Sequence, residues 1–404
     1  MTKMLVAATV APGALQTSAR AGSQTWDVVV IGAGVFGAWS AHWLHKAGLR
    51  VLLLDAYGPG NNRASSGGES RIIRAAYGED DFYSRWVKRS LPQWIELSDR
   101  SGGNLFHRTG VLTFADSSTK IVRQSAEALK RLDMPYEVLA GAEVAKRFPQ
   151  IAFREGDSAI FEPKCGALMA RRAVATVVEE LVHAGVEYRV AGIVGPAAKG
   201  RIASVKTTTG ETISADAFVF ACGPWLPKVF PELLGKVIQP ERGEVYFLGV
   251  PAGDTLFSPP NMPTWIHKSK DWDAYGMPNL ESRGFKVAVD KISQPADPDT
   301  MDREPSPAYL KHVREFVTER FPVLKDAPVV ETRVCQYENS LTGNYIVDRH
   351  PEMENVWIVG GGSGHGFKNG PAMGEYVAGG VAQGAPLEKL LTLAEQTPKE
   401  HRVD

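Results

Sequence analysis

Cysteine is scarce in this 404-residue chain: Cys165, Cys222 and Cys335 are the three present. Widely spaced and odd in number, they offer no disulfide framework and no zinc-ligand spacing, and a reducing compartment, the cytoplasm, is the simpler setting. An excess of charge of one sign is also missing. Lys and Arg number 45 against 46 Asp and Glu, a net charge of −1, which argues against a nucleic-acid partner. No run reaches the roughly 18 apolar residues that a membrane span requires, and the chain has neither internal repeats nor low-complexity tracts. What is there is ordinary for a globular protein: 44% hydrophobic and 23% charged residues. The length suits roughly two or three structural units with sizeable cores.

Residues 1–25 read as a loose extension. Leu5 to Leu15 is mildly apolar and Ser18 to Ala21 is rich in small residues, but only Lys3 is basic beforehand and Pro12-Gly13 interrupts the run. A twin-arginine signal is absent too, so export is the lesser reading.

The organising stretch runs from Asp27 to Asp55, DVVVIGAGVFGAWSAHWLHKAGLRVLLLD. Val28 to Ile31 is the apolar, β-branched pattern of a parallel strand buried on both faces. Gly32, Gly34 and Gly37 follow in G-x-G-x-x-G spacing, then a helical stretch to Lys46 and a second strand from Val51 to Leu54. In such a unit Gly32 permits a tight turn, Gly34 lets backbone N–H groups approach a pyrophosphate, and Gly37 lets helix and strand pack closely. Asp55 ends the second strand, where a carboxylate accepts hydrogen bonds from a ribose 2′-OH. The unit leaves FAD and NAD equally open.

Beyond Asp55 the chain enters a Gly- and Ser-rich loop and then RIIR, where Arg71 and Arg74 bracket an apolar pair. These arginines are candidates for a cofactor or for gripping a carboxylate with two bonds, against the plainer reading of surface cations. An amphipathic helix follows from Tyr83 with Pro92 as a possible kink. His107 to Phe114 reads as a strand and Thr119 to Leu132 as a helix, while Arg201 to Phe220 reads as a hairpin running into AFVFACGPW. From Gln239 to Asp290 polar and aromatic residues interleave with short β runs, suiting an antiparallel sheet that walls a substrate chamber. Trp265, His267, Trp272 and Tyr275 are its candidate lining, or its core. Lys286, between Phe285 and Val287, is either a solvent-facing residue of an alternating strand or a desolvated cation. Near the end, VWIVGGGSGHGFKNG is a strand, a glycine-rich turn and a helix start.

GESRIIRAAYGED and SGHGFK resemble the corresponding segments of the monomeric sarcosine oxidase family, which includes N-methyltryptophan, pipecolate and fructosyl amino acid oxidases; the resemblance extends from Asp27 to about Gly384. It implies FAD as cofactor, with Gly364 and Gly366 in the turn beside the flavin, and Ser66 and Arg71 among its contacts. It implies that Lys286 lies over the flavin and promotes its reaction with O2, in keeping with the stabilisation of developing negative charge by a fixed cation. Lys368 and Arg74 match the pair that binds the substrate carboxylate. Cys335, in a Cys-x-Tyr segment with Tyr337 and followed by Asp348, matches the cysteine that carries the flavin covalently, and nearby Arg333 favours its thiolate. Two departures stand out: Ser66-Gly67 replaces a pair of histidines, and Leu341-Thr342 replaces Pro-Asp.

The combined expectation is an α/β chain with a Rossmann-like FAD-binding domain (26–105, 165–238 and 330–404) and a discontinuous substrate domain on a mixed, largely antiparallel sheet (106–164 and 239–329). Its expected activity is oxidation of a carboxylate-bearing secondary amine to an imine, with O2 reduced to H2O2. Arg74, Lys368, Tyr275 and Trp272 are the expected substrate contacts, and a monomer without a membrane, nucleic-acid or metal partner is the expected form.

Overall fold

The computed structural model describes residues 25–290 and 294–396. The N-terminal extension, and with it the question of an export signal, lies outside these residues. At the centre is the strand Trp26–Ile31, paired in parallel with Val51–Asp55 on one side and Thr212–Phe220 on the other. Glu187–Val190 and Val356–Gly360 extend the parallel sheet, and Ile346–Arg349 closes it as an antiparallel edge. Helices Val35–Lys46, Ala170–His183 and Gly370–Gln383 supply residues to one core with Val28, Val30, Val51 and Leu53. Val29, Ile31, Leu52 and Leu54 face a second core with Phe218, Phe220 and Phe230. Burial on both faces is why these strands are continuously apolar.

The first and last of those helices cross closely. A Cβ added at Gly374 would come within 2.2 Å of the Trp39 carbonyl oxygen, so only a residue without a side chain fits the contact. This crossing ties the glycine-rich turn near the C-terminus to the first glycine turn, some 330 positions earlier in the chain by the difference 366 − 34.

A nine-stranded, largely antiparallel sheet forms the other layer, in which Thr264–Lys268 and Val111–Ala115 are the parallel neighbours. Its strand Phe285–Val289 alternates as a pleat requires. Phe285, Val287 and Val289 join a core with Trp265 and Phe316 of the helix Pro307–Arg320, while Ala288 packs with Val245, Phe247 and Cys335 on the opposite face. Lys286 shares that opposite face.

Two boundaries differ from the sequence reading. His107 to Phe114 is not one strand: Gly110, with φ +71°, breaks it into Phe106–His107 in a small three-stranded sheet and Val111–Ala115 in the large one. Val329–Ser340 pairs along its length with Ile238–Leu248 in the large sheet rather than belonging with the parallel layer. The long antiparallel ladder holds it there, and its far end carries Gln336 to Glu338 toward the glycine turns.

Candidate active site

The glycine turns form the floor of the site. Gly32 has φ +107°, and a Cβ on it would lie 2.2 Å from the Ala221 carbonyl oxygen; at Gly37 a Cβ would lie 1.7 Å from the oxygen of Gly32. Both are therefore required for the turn to close against Ala221. Gly34 is different, since a Cβ there would meet only Ser66 Oγ, at 3.6 Å. It opens onto a cavity of about 380 Å³ lined also by Asp55, Ser66, Arg71, the turn Ala221–Trp225, and Gly364 and Gly366, a volume within the range of ligand sites. Asp55 accepts from the backbone N–H groups of Ala33 (2.8 Å), Tyr57 (2.8 Å) and Gly58 (2.9 Å), and burial raises its pKa. Ser66 Oγ accepts from the Val35 N–H at 3.0 Å, at the start of the first helix. Arg71 donates to the carbonyls of Ser65 (2.6 Å) and Ser70 (2.8 Å). Glu338 Oε2, Gln336 Oε1 and Ser65 Oγ, all on lining residues, are buried without a hydrogen-bond partner from the protein. Burial raises the Glu338 pKa to about 7. Such atoms are costly unless a ligand satisfies them.

One face of the large sheet supplies the next wall. Lys286 is 2% exposed and donates to Ser70, at 3.0 Å to its carbonyl and 3.3 Å to its hydroxyl. Burial, reinforced by the Arg71 charge, lowers its pKa to about 7. Its ammonium lies 5.7 Å from the centre of the Tyr275 ring. The Tyr275 hydroxyl is 3.2 Å from that of Tyr337, which donates to Asp290 Oδ1 at 3.3 Å. Burial, then the charge of Asp273, raises the Asp290 pKa to about 7. Cys335 sits on this face opposite Gly243, and Arg333, two residues earlier on the same strand, reaches Asn62 at 3.4 Å.

A third group centres on Tyr77. Arg74 lies over its ring at 4.2 Å and donates to the Ala76 carbonyl. Lys368 Nζ donates to the Tyr77 hydroxyl and to the His365 carbonyl, both at 2.7 Å. His365 Nδ1 is 3.2 Å from the Tyr77 hydroxyl and 2.9 Å from that of Tyr345, while Nε2 is 3.0 Å from the Gly343 carbonyl. A carbonyl only accepts, so Nε2 carries the proton and Nδ1 accepts. Burial and the Lys368 charge lower the His365 pKa to about 3, which keeps the imidazole neutral. Lys368 is itself buried, and burial plus the Arg74 charge hold its pKa well below the ordinary lysine value. Two cations meeting in a buried site are the arrangement an anion would relieve.

Arg74 and Lys368 thus meet on Tyr77, and Lys286 and Tyr275 share one sheet face with Cys335. Trp272 is not among them: its indole N–H donates to Glu319 Oε2 at 3.1 Å and its ring packs on His312 and Phe316. It precedes the strand Asp273–Met277 and folds over the opposite side of the sheet, so it is removed from the expected substrate contacts. Trp265 and His267 likewise lie in the sheet's other core, against Phe285, Phe316 and Phe114. Asp348 accepts from the backbone N–H groups of Arg349 and Leu393, securing the C-terminal segment. Sequence reading missed Tyr77, His365 and Asp290 as site residues. Tyr77 and His365 lie within the two matched motifs, and Asp290 falls four positions after Lys286, on the same side of the pleat.

A Rossmann-type glycine cradle, a second backbone approach at Ala221–Trp225 and a substrate wall on an antiparallel sheet together define a flavin-dependent oxidoreductase. The chain belongs to the FAD dependent oxidoreductase family, whose sequence profile matches residues 27–379, and within it to the branch of monomeric sarcosine oxidase and N-methyltryptophan oxidase. It is 32% identical over 370 residues to monomeric sarcosine oxidase of Bacillus sp. (strain B-0618), covering 88% of this chain and 92% of that protein. It is 30% identical to human (Homo sapiens) peroxisomal sarcosine oxidase, with coverage of 87% and 90%, and 28% identical to N-methyl-L-tryptophan oxidase of Yersinia pestis (strain Pestoides F), with 87% and 94%. The fold is similar to that of L-proline dehydrogenase from P. horikoshii, with a TM-score of 0.75, 24% identity and coverage of 91% of this chain and 95% of that one. The enzyme is an FAD-dependent oxidoreductase of the kind that acts on CH–NH donors. Among the described residues no helix is long and apolar enough to cross a membrane, and no cluster of His, Cys, Asp and Glu is placed to hold a metal ion.

Proposed function

We propose that the protein oxidises a secondary amine bearing a carboxylate, an N-methyl or N-alkyl amino acid, to an imine that hydrolyses, with O2 reduced to H2O2. The observation that carries this reading is the meeting of Arg74 and Lys368 on Tyr77. A buried lysine and a part-buried arginine, with the Glu162 carboxylate acting on both but ion-paired to neither, suit a substrate carboxylate, and a guanidinium can grip it with two bonds. Tyr275 and Tyr337 meet hydroxyl to hydroxyl at 3.2 Å on the Lys286 face of the sheet.

The residues present fit FAD. Gly32, Gly34 and Gly37 leave backbone room for a pyrophosphate at the helix start, Asp55 stands at the ribose position, and the unpartnered oxygens of Glu338 and Gln336 offer bonds to a polyhydroxyl chain. Ser66, Arg71, Gly364 and Gly366 complete the lining. FAD, when bound, supplies the acceptor for the hydride from the carbon next to the amine nitrogen. Cys335 tethers it covalently, in keeping with the Cys-x-Tyr match and with its place next to Gln336 and Tyr337, which line the cofactor cavity. Lys286 stabilises the negative charge that develops as O2 is reduced.

The division into an FAD-binding domain (26–105, 165–238 and 330–404) and a substrate domain (106–164 and 239–329) then follows, with residues up to Ser340 contributing their strand to the substrate sheet. The protein works as a cytoplasmic monomer: its three unpaired cysteines support a reducing compartment, and the name of its monomeric relatives supports the monomer. Incubation in air with N-methyl amino acids, cyclic imino acids and glycated amino acids tests the activity: H2O2 matching amine consumed supports an oxidase. Substrate-dependent dye reduction with little H2O2 would assign electrons to a partner instead.

A further inference from the structure

His365 lies between Gly364 and Gly366, the glycines of the C-terminal turn that line the cofactor cavity. The chemistry of its neighbours fixes its hydrogen bonds. The Gly343 carbonyl, 3.0 Å from Nε2, can only accept, so Nε2 carries the proton and Nδ1 is left with one lone pair. Two hydroxyls approach that lone pair, Tyr345 at 2.9 Å and Tyr77 at 3.2 Å. Tyr345 has a second acceptor, the His365 carbonyl at 3.0 Å, and it accepts from Asn369 Nδ2 at 2.9 Å. Among the described residues Tyr77 has no second acceptor, since its other partner is the Lys368 ammonium, a donor. Both hydroxyls are satisfied when Tyr345 donates to the carbonyl and Tyr77 donates to Nδ1.

We propose that His365 is a positioning residue of the substrate site: its Nδ1 takes the Tyr77 hydrogen, which turns the Tyr77 lone pair to Lys368 and keeps that lysine charged for the substrate carboxylate. The inference rests on the carboxylate-binding reading above. A hydroxyl that donates a hydrogen bond becomes a better acceptor at its oxygen, the more so in a site of low dielectric. Lys368 needs that support. Burial and Arg74 oppose its charge, while Glu162, with Cys165 3.4 Å from its carboxylate, favours it. The imidazole adds no charge of its own to this balance: burial first, then Lys368, Arg74 and Lys268 disfavour its protonation, and the rings of Tyr83 and Tyr345 pack on it at 4.8 Å. A neutral acceptor is what this position supplies.

Acetate, which has the carboxylate and no amine to oxidise, is the probe, titrated into the flavin-loaded holoenzyme by calorimetry across pH. Wild-type affinity is expected to fall as pH rises through the Lys368 pKa. His365→Leu is expected to weaken acetate binding about five- to tenfold near neutral pH, the worth of one hydrogen bond, and to move the loss of affinity to lower pH. His365→Asn, which sets a carbonyl oxygen where Nδ1 stood, is expected to restore both. A purely structural role would weaken binding equally at every pH. Wild-type behaviour in His365→Leu, an equal weakening at every pH, or no recovery in folded His365→Asn overturns the role of His365 and leaves the carboxylate reading standing. A wild-type enzyme that binds no acetate, or binds it equally at every pH, removes both. Should His365→Leu not fold, nitrogen NMR of histidine-labelled wild type decides: the histidine signal that shifts on adding acetate is expected to be neutral with its proton on Nε2. No shifting signal, or a proton on Nδ1, overturns the assignment.

Discussion

The Lys368 ammonium donates a 2.7 Å hydrogen bond to the hydroxyl of Tyr77, whose ring lies beneath the Arg74 guanidinium. Residues 291 positions apart in sequence are thereby joined into one anion-seeking group. Its cationic half is stressed: burial and Arg74 both push the Lys368 pKa down, and a carboxylate between the two cations would reverse that push.

Lys368→Ala is therefore expected to raise the KM of carboxylate substrates about ten- to a hundredfold, the worth of a hydrogen bond to a charged group, with a smaller change in kcat. Because the cation is lost as pH rises through its lowered pKa, apparent affinity for the carboxylate falls with rising pH in the wild type and loses that dependence in the variant. Steady-state kinetics across pH checks this, and an unchanged KM would remove Lys368 from substrate binding.

Tyr275 and Trp272 separate the two faces of the sheet. Tyr275→Phe removes a hydroxyl from the Tyr337–Asp290 chain and is expected to alter KM or the rate of anaerobic reduction by several-fold. Trp272→Phe removes only the bond to Glu319. It is expected to leave those constants at the wild-type level and to lower stability by about 1 kcal/mol, measurable by urea denaturation.

Lys286→Met is expected to stabilise the protein in a pH-dependent way. The folded-state pKa is about 7 against an ordinary 10.5, so the unfolded chain binds the extra proton between these values and wild-type stability rises with pH across that window. The penalty of the buried charge is fully present below pH about 7 and gone above about 10.5. The gain in Tm from the substitution, measured on matched flavin-loaded samples, should be largest in acid and vanish in alkali. A gain independent of pH would point to packing alone.

Wild-type protein precipitated with acid is expected to stay yellow, and Cys335→Ala to release its flavin into the supernatant. Flavin released in full from the wild type would contradict covalent attachment.

The parallel layer was legible because its strands are buried on both faces and its turns need glycine for stated steric reasons, so composition and spacing coincide. The same double burial hid the substrate wall. In the large sheet Trp265 and His267 point into one core while Tyr275 and Lys286 point to the opposite face, and runs apolar on both faces do not announce which residue faces where. Trp272 misled because it sits in the turn before its strand, outside the alternation. Lys286, Lys368 and Cys335 were singled out through motif resemblance and all three are buried, whereas Asp290 and His365 carry no local signal of their burial. Their raised and lowered pKa values come first from burial, which the assembled fold creates, and then from Asp273 on a neighbouring strand for Asp290 and from Lys368 in the same turn for His365.

The central claim is that a carboxylate-bearing secondary amine gives its electrons to FAD in this site. Anaerobic mixing of the purified flavoprotein with an N-methyl amino acid, beside the same amine lacking its carboxylate, tests it most directly. The account predicts rapid bleaching of the oxidised flavin spectrum by the first and slow or absent bleaching by the second. Equal rates with both amines, or an oxidised spectrum that persists across the N-methyl, cyclic imino and glycated amino acids, would contradict it.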